Sequence, residues 1–141
     1  MRTGWINALA VVSAQHEAEF VAALEEVVSP DDATIAPYPC VRVHVPDADE
    51  EILLLLALRG CGQNYRTGPG RFAFPAEWES EVGDVVALCG IRASVVTSVG
   101  FRLELRSARL LDDLRASLRR RQGTFGPTYP SVTAARRIRM E

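Results

Sequence analysis

The sequence contains no lysine, so arginine supplies all 16 of its basic residues. Only two histidines and three cysteines occur among the 141 residues. A small and odd number of cysteines argues against a disulfide framework and fits a reducing compartment, so we expect a cytoplasmic protein. The histidines and cysteines do not have the spacing of zinc ligands, so we expect no metal and no cofactor.

Long hydrophobic runs and catalytic motifs are also missing. The longest apolar run, residues 52–58, is much shorter than the roughly 20 residues that cross a bilayer, and no convincing signal-peptide cleavage site follows the N-terminus. The sequence has no phosphate-binding loop motif and no recognisable Ser-His-Asp or Cys-His set. These absences predict a protein without a membrane partner and favour binding over catalysis.

The apolar pattern predicts three helices. Residues 16–28 and, approximately, residues 112–122 carry apolar side chains at helical spacing among charged ones. Residues 48–59 are rich in leucine, and Asp47 with Glu50 three residues later has the form of a capping box. A helix is therefore the preferred interpretation of this segment, and a strand is the alternative.

Several other segments are typical of strands. Residues 40–45 alternate valine with other side chains, as in a half-buried strand. Residues 71–75 fit a short edge strand, and residues 5–14 fit either a buried strand or the first turns of a helix, because a short apolar run does not decide between them.

The stretch from residue 83 to residue 111, GDVVALCGIRASVVTSVGFRLELRSARLL, predicts a long hairpin. A three-residue loop at 98–100 places Val95 opposite Leu103 and makes one face continuously apolar, and register follows the buried face. The other face then carries three arginines, Arg92, Arg102 and Arg106. These arginines form either a binding face or a solvated charged surface balanced by Glu104.

This hairpin resembles the opening strands of OB-fold barrels. In that comparison, residues 83–97 form a long strand bent at Gly90 and residues 101–111 form the second strand. The resemblance implies a site for single-stranded nucleic acid or oligosaccharide.

Together these patterns predict an α+β fold. We expect a mainly antiparallel sheet with about three helices in one globular domain, residues 1–123, followed by an arginine-rich extended or disordered arm, residues 124–141. Apolar residues make up 48% of the chain and charged residues 24%, which is ordinary for a globular protein.

Positive charge is concentrated in the second half of the chain. Residues 81–141 hold 11 of the 16 arginines and 6 of the 18 acidic residues, whereas residues 1–80 are strongly acidic. A basic region of this kind is suited to an acidic partner, and the same charges can also pair with the acidic half of the chain.

The candidate site residues follow from these charges. The predicted binding residues are Arg92, Arg102, Arg106, Arg119, Arg120, Arg121, Phe125, Tyr129, Arg136 and Arg137. A glycine-rich loop, residues 60–71, supplies a second set, Cys61, Tyr65, Arg66 and Arg71.

We therefore expect a non-enzymatic accessory protein that binds an acidic protein partner or a second copy of itself through the arginine face and the arm. Two alternatives stay open. One is single-stranded nucleic-acid binding through the same arginines, and the other is a small enzyme that uses the glycine-rich loop.

Overall fold

The structure is a computed structural model that describes residues 5–61, 64–126 and 130–134. It is α+β, and every strand pair is antiparallel, which confirms the predicted fold class. No helix within the described ranges is long and apolar enough to cross a membrane.

The chain divides into two compact units. Within the described residues, the first unit consists of residues 5–38, 99–126 and 130–134. The second unit consists of residues 39–61 and 64–98, so it is inserted in the sequence between two strands of the first.

The first unit has four strands and three α-helices. In chain order they are β1 (Ile6–Val12), α1 (Glu17–Val27), β2 (Ala33–Pro37), residues 99–105 of β6 (Ser94–Leu105), α4 (Ala108–Arg120), α5 (Gln122–Phe125) and β7 (Ser131–Ala134). β1 pairs with β6 and β7, and β6 also pairs with β2, so the strand order is β2-β6-β1-β7.

The second unit has four strands and two α-helices. In chain order they are β3 (Cys40–His44), α2 (Ala48–Ala57), β4 (Tyr65–Gly68), β5 (Arg71–Pro75), α3 (Glu79–Leu88) and residues 94–98 of β6. The strand order is β4-β5-β3-β6.

Both units therefore have the same topology. Each follows the order β-α-β-β-α-β, with the short α5 added after α4 in the first unit, and in each the first and third strands lie at the centre of the sheet. This is the split β-α-β arrangement of ferredoxin-like folds. In the first unit, the connection between the second and third strands is the whole second unit.

The core of the first unit lies between its sheet and its helices. Alternate residues of β1, Ala8, Ala10 and Val12, point into this core because side chains of a strand alternate between its faces. Phe20 of α1 stacks on Phe101 of β6 with ring centroids 5.4 Å apart. The stripe predicted for α4 is confirmed, since the leucines at helical spacing are buried: Leu111, Leu114 and Leu118.

The core of the second unit is built in the same way. Phe72 and Phe74 on β5 have ring centroids 6.4 Å apart and are both buried. Leu54 of α2 and Val82 of α3 pack against this face of the sheet. α2 begins where the capping box predicts, because the Asp47 side chain accepts hydrogen bonds from the backbone N–H groups of the first helical turn.

The structure resolves two choices between helix and strand. Residues 6–12 form a strand, where the sequence favoured neither. Residues 48–57 form a helix, which was the preferred interpretation of that segment. Residues 71–75 form a strand as predicted, but it lies between β4 and β3 rather than at an edge. The described residues contain five α-helices instead of about three.

The hairpin predicted at 83–111 is not formed. Residues 79–88 are helix α3, and residues 94–105 are one continuous strand in which Gly100 is an ordinary strand residue. Val82, Val85 and Val86 have helical spacing and all pack on the second unit's core, which explains why this valine-rich segment is helical. The resemblance to OB-fold barrels depended on this hairpin, which the structure does not contain.

The predicted arm also differs from the structure. Residues 131–134 pair with β1 as strand β7, and Phe125 is buried in the core of the first unit. The part of this segment that the structure describes is thus integrated into the first unit.

Candidate functional site

Four of the eleven arginines in residues 81–141 lie on α4, and Arg121 directly follows the helix. The apolar stripe of α4 faces the core, so its basic side chains project from the remaining surface of the helix. Their environments differ, and these differences separate structural arginines from a candidate binding residue.

Two of the predicted binding arginines form a network with the acidic helix α1. Arg121 donates to Glu26 at 2.8 Å and to Glu19 at 2.5 Å, and Arg120 donates to Glu26 at 2.9 Å. The Ser117 hydroxyl donates to the same Glu26 carboxylate at 3.2 Å. Arg120 and Arg121 therefore pair with the acidic half of the chain, within the first unit.

This network changes the acidity of Glu26. The hydrogen bond from Arg121, followed by those from Arg120 and Ser117, lowers the pKa of Glu26 from its ordinary value of 4.5 to about 2. The hydrogen bonds to Glu26 and Glu19 raise the pKa of Arg121. The Glu26 carboxylate and the Arg121 guanidinium thus each stabilise the charged form of the other at neutral pH.

We expect the Glu26 network to stabilise the fold in a pH-dependent way. Because the pKa of Glu26 is lower in the folded chain, its contribution is present above about pH 4.5 and is lost as the pH falls towards about 2. Urea unfolding of Glu26→Gln should therefore show a lower midpoint than the native sequence at neutral pH. The difference between the two midpoints should shrink as the pH is lowered.

Glu25→Gln is the matched control, because Glu25 is exposed on the same helix and no ion pair of Glu25 occurs among the described residues. Its midpoint should follow that of the native sequence across the series. A constant difference between Glu26→Gln and the native sequence at every pH would contradict this account.

A groove of about 400 Å³ lies between α4 and β7. It is lined by two arginines, one glutamine and three apolar residues: Arg115, Leu118, Arg119, Gln122, Pro130 and Val132. The two arginines are four residues apart, which places them on the same side of α4. The groove thus combines positive charge with an apolar wall.

Arg115 holds one side of this groove in place. Its Nε and Nη2 atoms donate to the backbone carbonyl of Val132 at 3.1 and 3.0 Å, and its Nη1 lies 3.9 Å from the Asp112 carboxylate. Two of its five N–H donors therefore tie β7 to α4.

Arg119 is the arginine of the groove whose guanidinium is available to bind a ligand. Its side chain is exposed, and it has no hydrogen bond or ion pair among the residues that the structure describes. A guanidinium presents a planar set of donors that matches a carboxylate or a phosphate. The apolar wall beside it favours a ligand that also carries an aliphatic group.

The three arginines predicted to share a hairpin face are not brought together. Arg92 belongs to the second unit, where its Nε lies 3.7 Å from Glu50 and its side chain is largely exposed. Arg102 and Arg106 belong to the first unit, and Arg106 pairs with Asp32 at 3.2 Å. Arg102 is exposed and has no ion pair among the residues that the structure describes, and on β6 it lies between Leu9 and Ala36 of the neighbouring strands.

The aromatic residues predicted for a binding arm have different positions. Phe125 is 1% exposed and makes an edge-to-face contact with His16, with ring centroids 5.3 Å apart. It is a core residue of the first unit. Tyr129, Arg136 and Arg137 lie outside the described residues.

The predicted glycine-rich loop is largely a β-hairpin. Cys61 and Tyr65 are buried, and Arg71 is exposed at the start of β5. Arg66 pairs with Glu51 at 2.6 Å and lies over the Phe72 ring, 4.7 Å from its centroid. Among the described residues no group of three or more histidines, cysteines or acids is placed to hold a metal.

Sequence reasoning found Arg119 but missed the rest of the groove. The sequence places Pro130 and Val132 in the predicted arm, and its charge pattern does not single out Arg115 or Gln122. The four-residue spacing of Arg115 and Arg119 on a predicted helix was the available signal. The apolar wall was not visible, because it depends on β7 pairing with β1 more than 100 residues away in sequence.

Comparison with family models, with curated proteins and with solved structures gives no match for this sequence, so the chemistry of the groove is the basis for a function.

Proposed function

We propose that this protein is a non-enzymatic accessory protein that binds an acidic segment of a partner protein in the groove between α4 and β7. The observation that carries the proposal is Arg119, an exposed guanidinium beside an apolar wall, without a hydrogen bond or ion pair among the described residues. In this role Arg119 binds a carboxylate, and an aliphatic side chain next to it lies in the groove, whose floor includes the largely buried Leu118 and Val132.

The pairing of the neighbouring arginines supports a localised site. Arg120 and Arg121 are held by Glu26, and Arg115 is held by the Val132 carbonyl. Because each of these neighbours already donates to a protein acceptor, we expect the charge at Arg119 to contribute most to recognition of an anion at this groove. Exposed pairs contribute little on their own, so the apolar wall is needed to give affinity.

A protein segment fits the groove better than a nucleic acid does. Non-specific single-strand sites combine a run of unpaired cations with aromatic side chains on which bases stack. The groove offers an aliphatic wall and no aromatic side chain among its described lining residues. Single-stranded nucleic acid is therefore the competing outcome of the test rather than the proposal.

The test is fluorescence anisotropy with two labelled probes, a peptide of alternating leucine and glutamate and a single-stranded oligonucleotide. We expect the peptide to bind, and Arg119→Glu to weaken its binding about tenfold or more because a carboxylate then meets a carboxylate. Arg109→Glu is the matched control. Arg109 is exposed on the same helix, and within the described residues its only ion pair is a 4.0 Å contact with Asp113.

Equal loss of peptide binding in Arg119→Glu and Arg109→Glu would overturn the proposal, because it would assign binding to overall charge. Binding of the oligonucleotide alone, with affinity that falls steeply with salt, would replace the acidic partner by nucleic acid. Absence of binding by either probe at low salt would also overturn the proposed groove.

A further inference from the structure

One helix of the second unit exposes an apolar surface that its own core does not use. On α2, Ile52 is 57% exposed, Leu53 is 48% exposed and Leu56 is 58% exposed. Large aliphatic side chains that lie together on a surface are typical of interaction sites. The buried side of α2 is instead formed by Leu54, together with Leu58 immediately after the helix.

These side chains form a single stripe with a charge at each end. Positions 49, 52, 53 and 56 share one side of α2 because they are three or four residues apart. Asp49 lies in the first turn of α2, and Arg59 lies just after its last turn. Both are exposed, and neither has an ion pair among the residues that the structure describes. We call residues 49–59 on this side the α2 stripe.

The α2 stripe is complementary to itself when two copies are antiparallel. Two antiparallel helices related by a two-fold axis at position 54 place Ile52 opposite Leu56 of the second copy. The same arrangement brings the Asp49 end of each helix to the end of the other helix, which Arg59 follows. A two-fold interface uses the same patch on both subunits, and this patch has an apolar centre with opposite charges at its two ends.

We propose that the protein forms a two-fold homodimer in which the α2 stripes of two copies pack antiparallel, with Asp49–Arg59 ion pairs at both ends. The occupant of the stripe is thus a second copy of this chain. The stripe belongs to the second unit, so this inference is independent of the groove in the first unit. A failure of either proposal leaves the other standing.

The first test is the mass of the full chain in solution by light scattering over a concentration series. We expect twice the chain mass of 15.5 kDa, and we expect Leu56→Arg to give the monomer mass because it places a charge in the centre of the interface. Ile35→Arg is the matched control, since Ile35 is 45% exposed on β2 of the first unit. Ile35→Arg should remain dimeric.

The second test exchanges the charges at the two ends of the α2 stripe. Restoration of the dimer in a mixture of the variants would show that each variant is folded. Asp49→Arg alone places two arginines together at each end, and Arg59→Asp alone places two aspartates together at each end. Both single variants should be monomeric or much weaker dimers. An equimolar mixture should dimerise again, because each end then joins one arginine to one aspartate.

A mixture of the two variants that stays monomeric while the native chain is dimeric would overturn the antiparallel pairing. A native chain that stays monomeric over the whole concentration series would overturn the dimer itself. Equal loss of the dimer in Leu56→Arg and Ile35→Arg would show that the stripe is not the interface.

Discussion

Phe125→Ala is expected to lower the free energy of unfolding by about 3–5 kcal/mol, the range for removal of a fully buried phenylalanine. Phe125 is 1% exposed in the core of the first unit, where its ring contacts His16 edge-to-face. Truncation to alanine removes apolar surface from this core and leaves a cavity that the surrounding side chains fill only in part.

Urea unfolding of the full chain measures this effect. Thr124→Ala is the matched control, because Thr124 is the exposed preceding residue and its replacement should change stability by no more than about 0.5 kcal/mol. Phe125→Ala and Thr124→Ala variants of equal stability would contradict the buried position of Phe125. They would instead fit the loosely attached arm that the sequence predicts.

Gly70→Ala is expected to destabilise the second unit strongly. Gly70 has φ +66°, and a Cβ atom at this position would lie 2.4 Å from the backbone carbonyl oxygen of Val45. The left-handed conformation alone costs about 1–2 kcal/mol for a residue other than glycine. Displacement of the neighbouring backbone adds a cost comparable to the about 1–3 kcal/mol of overpacking. Gly70 also accepts a hydrogen bond from the Val45 N–H at 2.8 Å, which the displacement would weaken.

Gly90→Ala separates these two costs. Gly90 has φ +63°, but no atom lies within 4 Å of the position of its Cβ. Its replacement by alanine should therefore cost only the about 1–2 kcal/mol of the left-handed conformation. Unfolding midpoints for the two variants give the comparison. A Gly70→Ala variant no less stable than Gly90→Ala would show that the close approach of Gly70 to Val45 is not part of the fold.

The sequence predicts those elements whose pattern is local. The helix at α1 follows from its own apolar stripe, and the start of α2 follows from the Asp47 cap, because both depend on residues within one or two turns. The strand β3 is equally clear, since its alternating valines are the signal of a half-buried strand.

The error at residues 83–111 has a physical cause. The valines of α3 fit a strand by propensity, and they are helical because three of them reach the same core at helical spacing. β6 continues through Gly100 because its first residues pair with β3 and its later residues pair with β1 and β2. These partners are distant in sequence, so no local pattern indicates that the turn is absent.

The candidate site was only partly predictable for the same reason. Charge density in the sequence identifies a basic region, but it does not distinguish Arg121, which is held by Glu19 and Glu26, from Arg119. That distinction depends on the packing of α1 against α4. The contacts within the first unit thus identify Arg119, beside the groove, as the candidate binding residue within a broad basic region.

The most direct test of the groove is an NMR titration of the isotope-labelled full chain with the leucine–glutamate peptide. If the peptide binds in this groove, we expect the largest chemical-shift changes at the backbone amides of Arg119, Gln122 and Val132, and at the side-chain Nε–H of Arg119. Changes that concentrate around Arg102, or that spread evenly over all exposed arginines, would contradict the groove as the binding site.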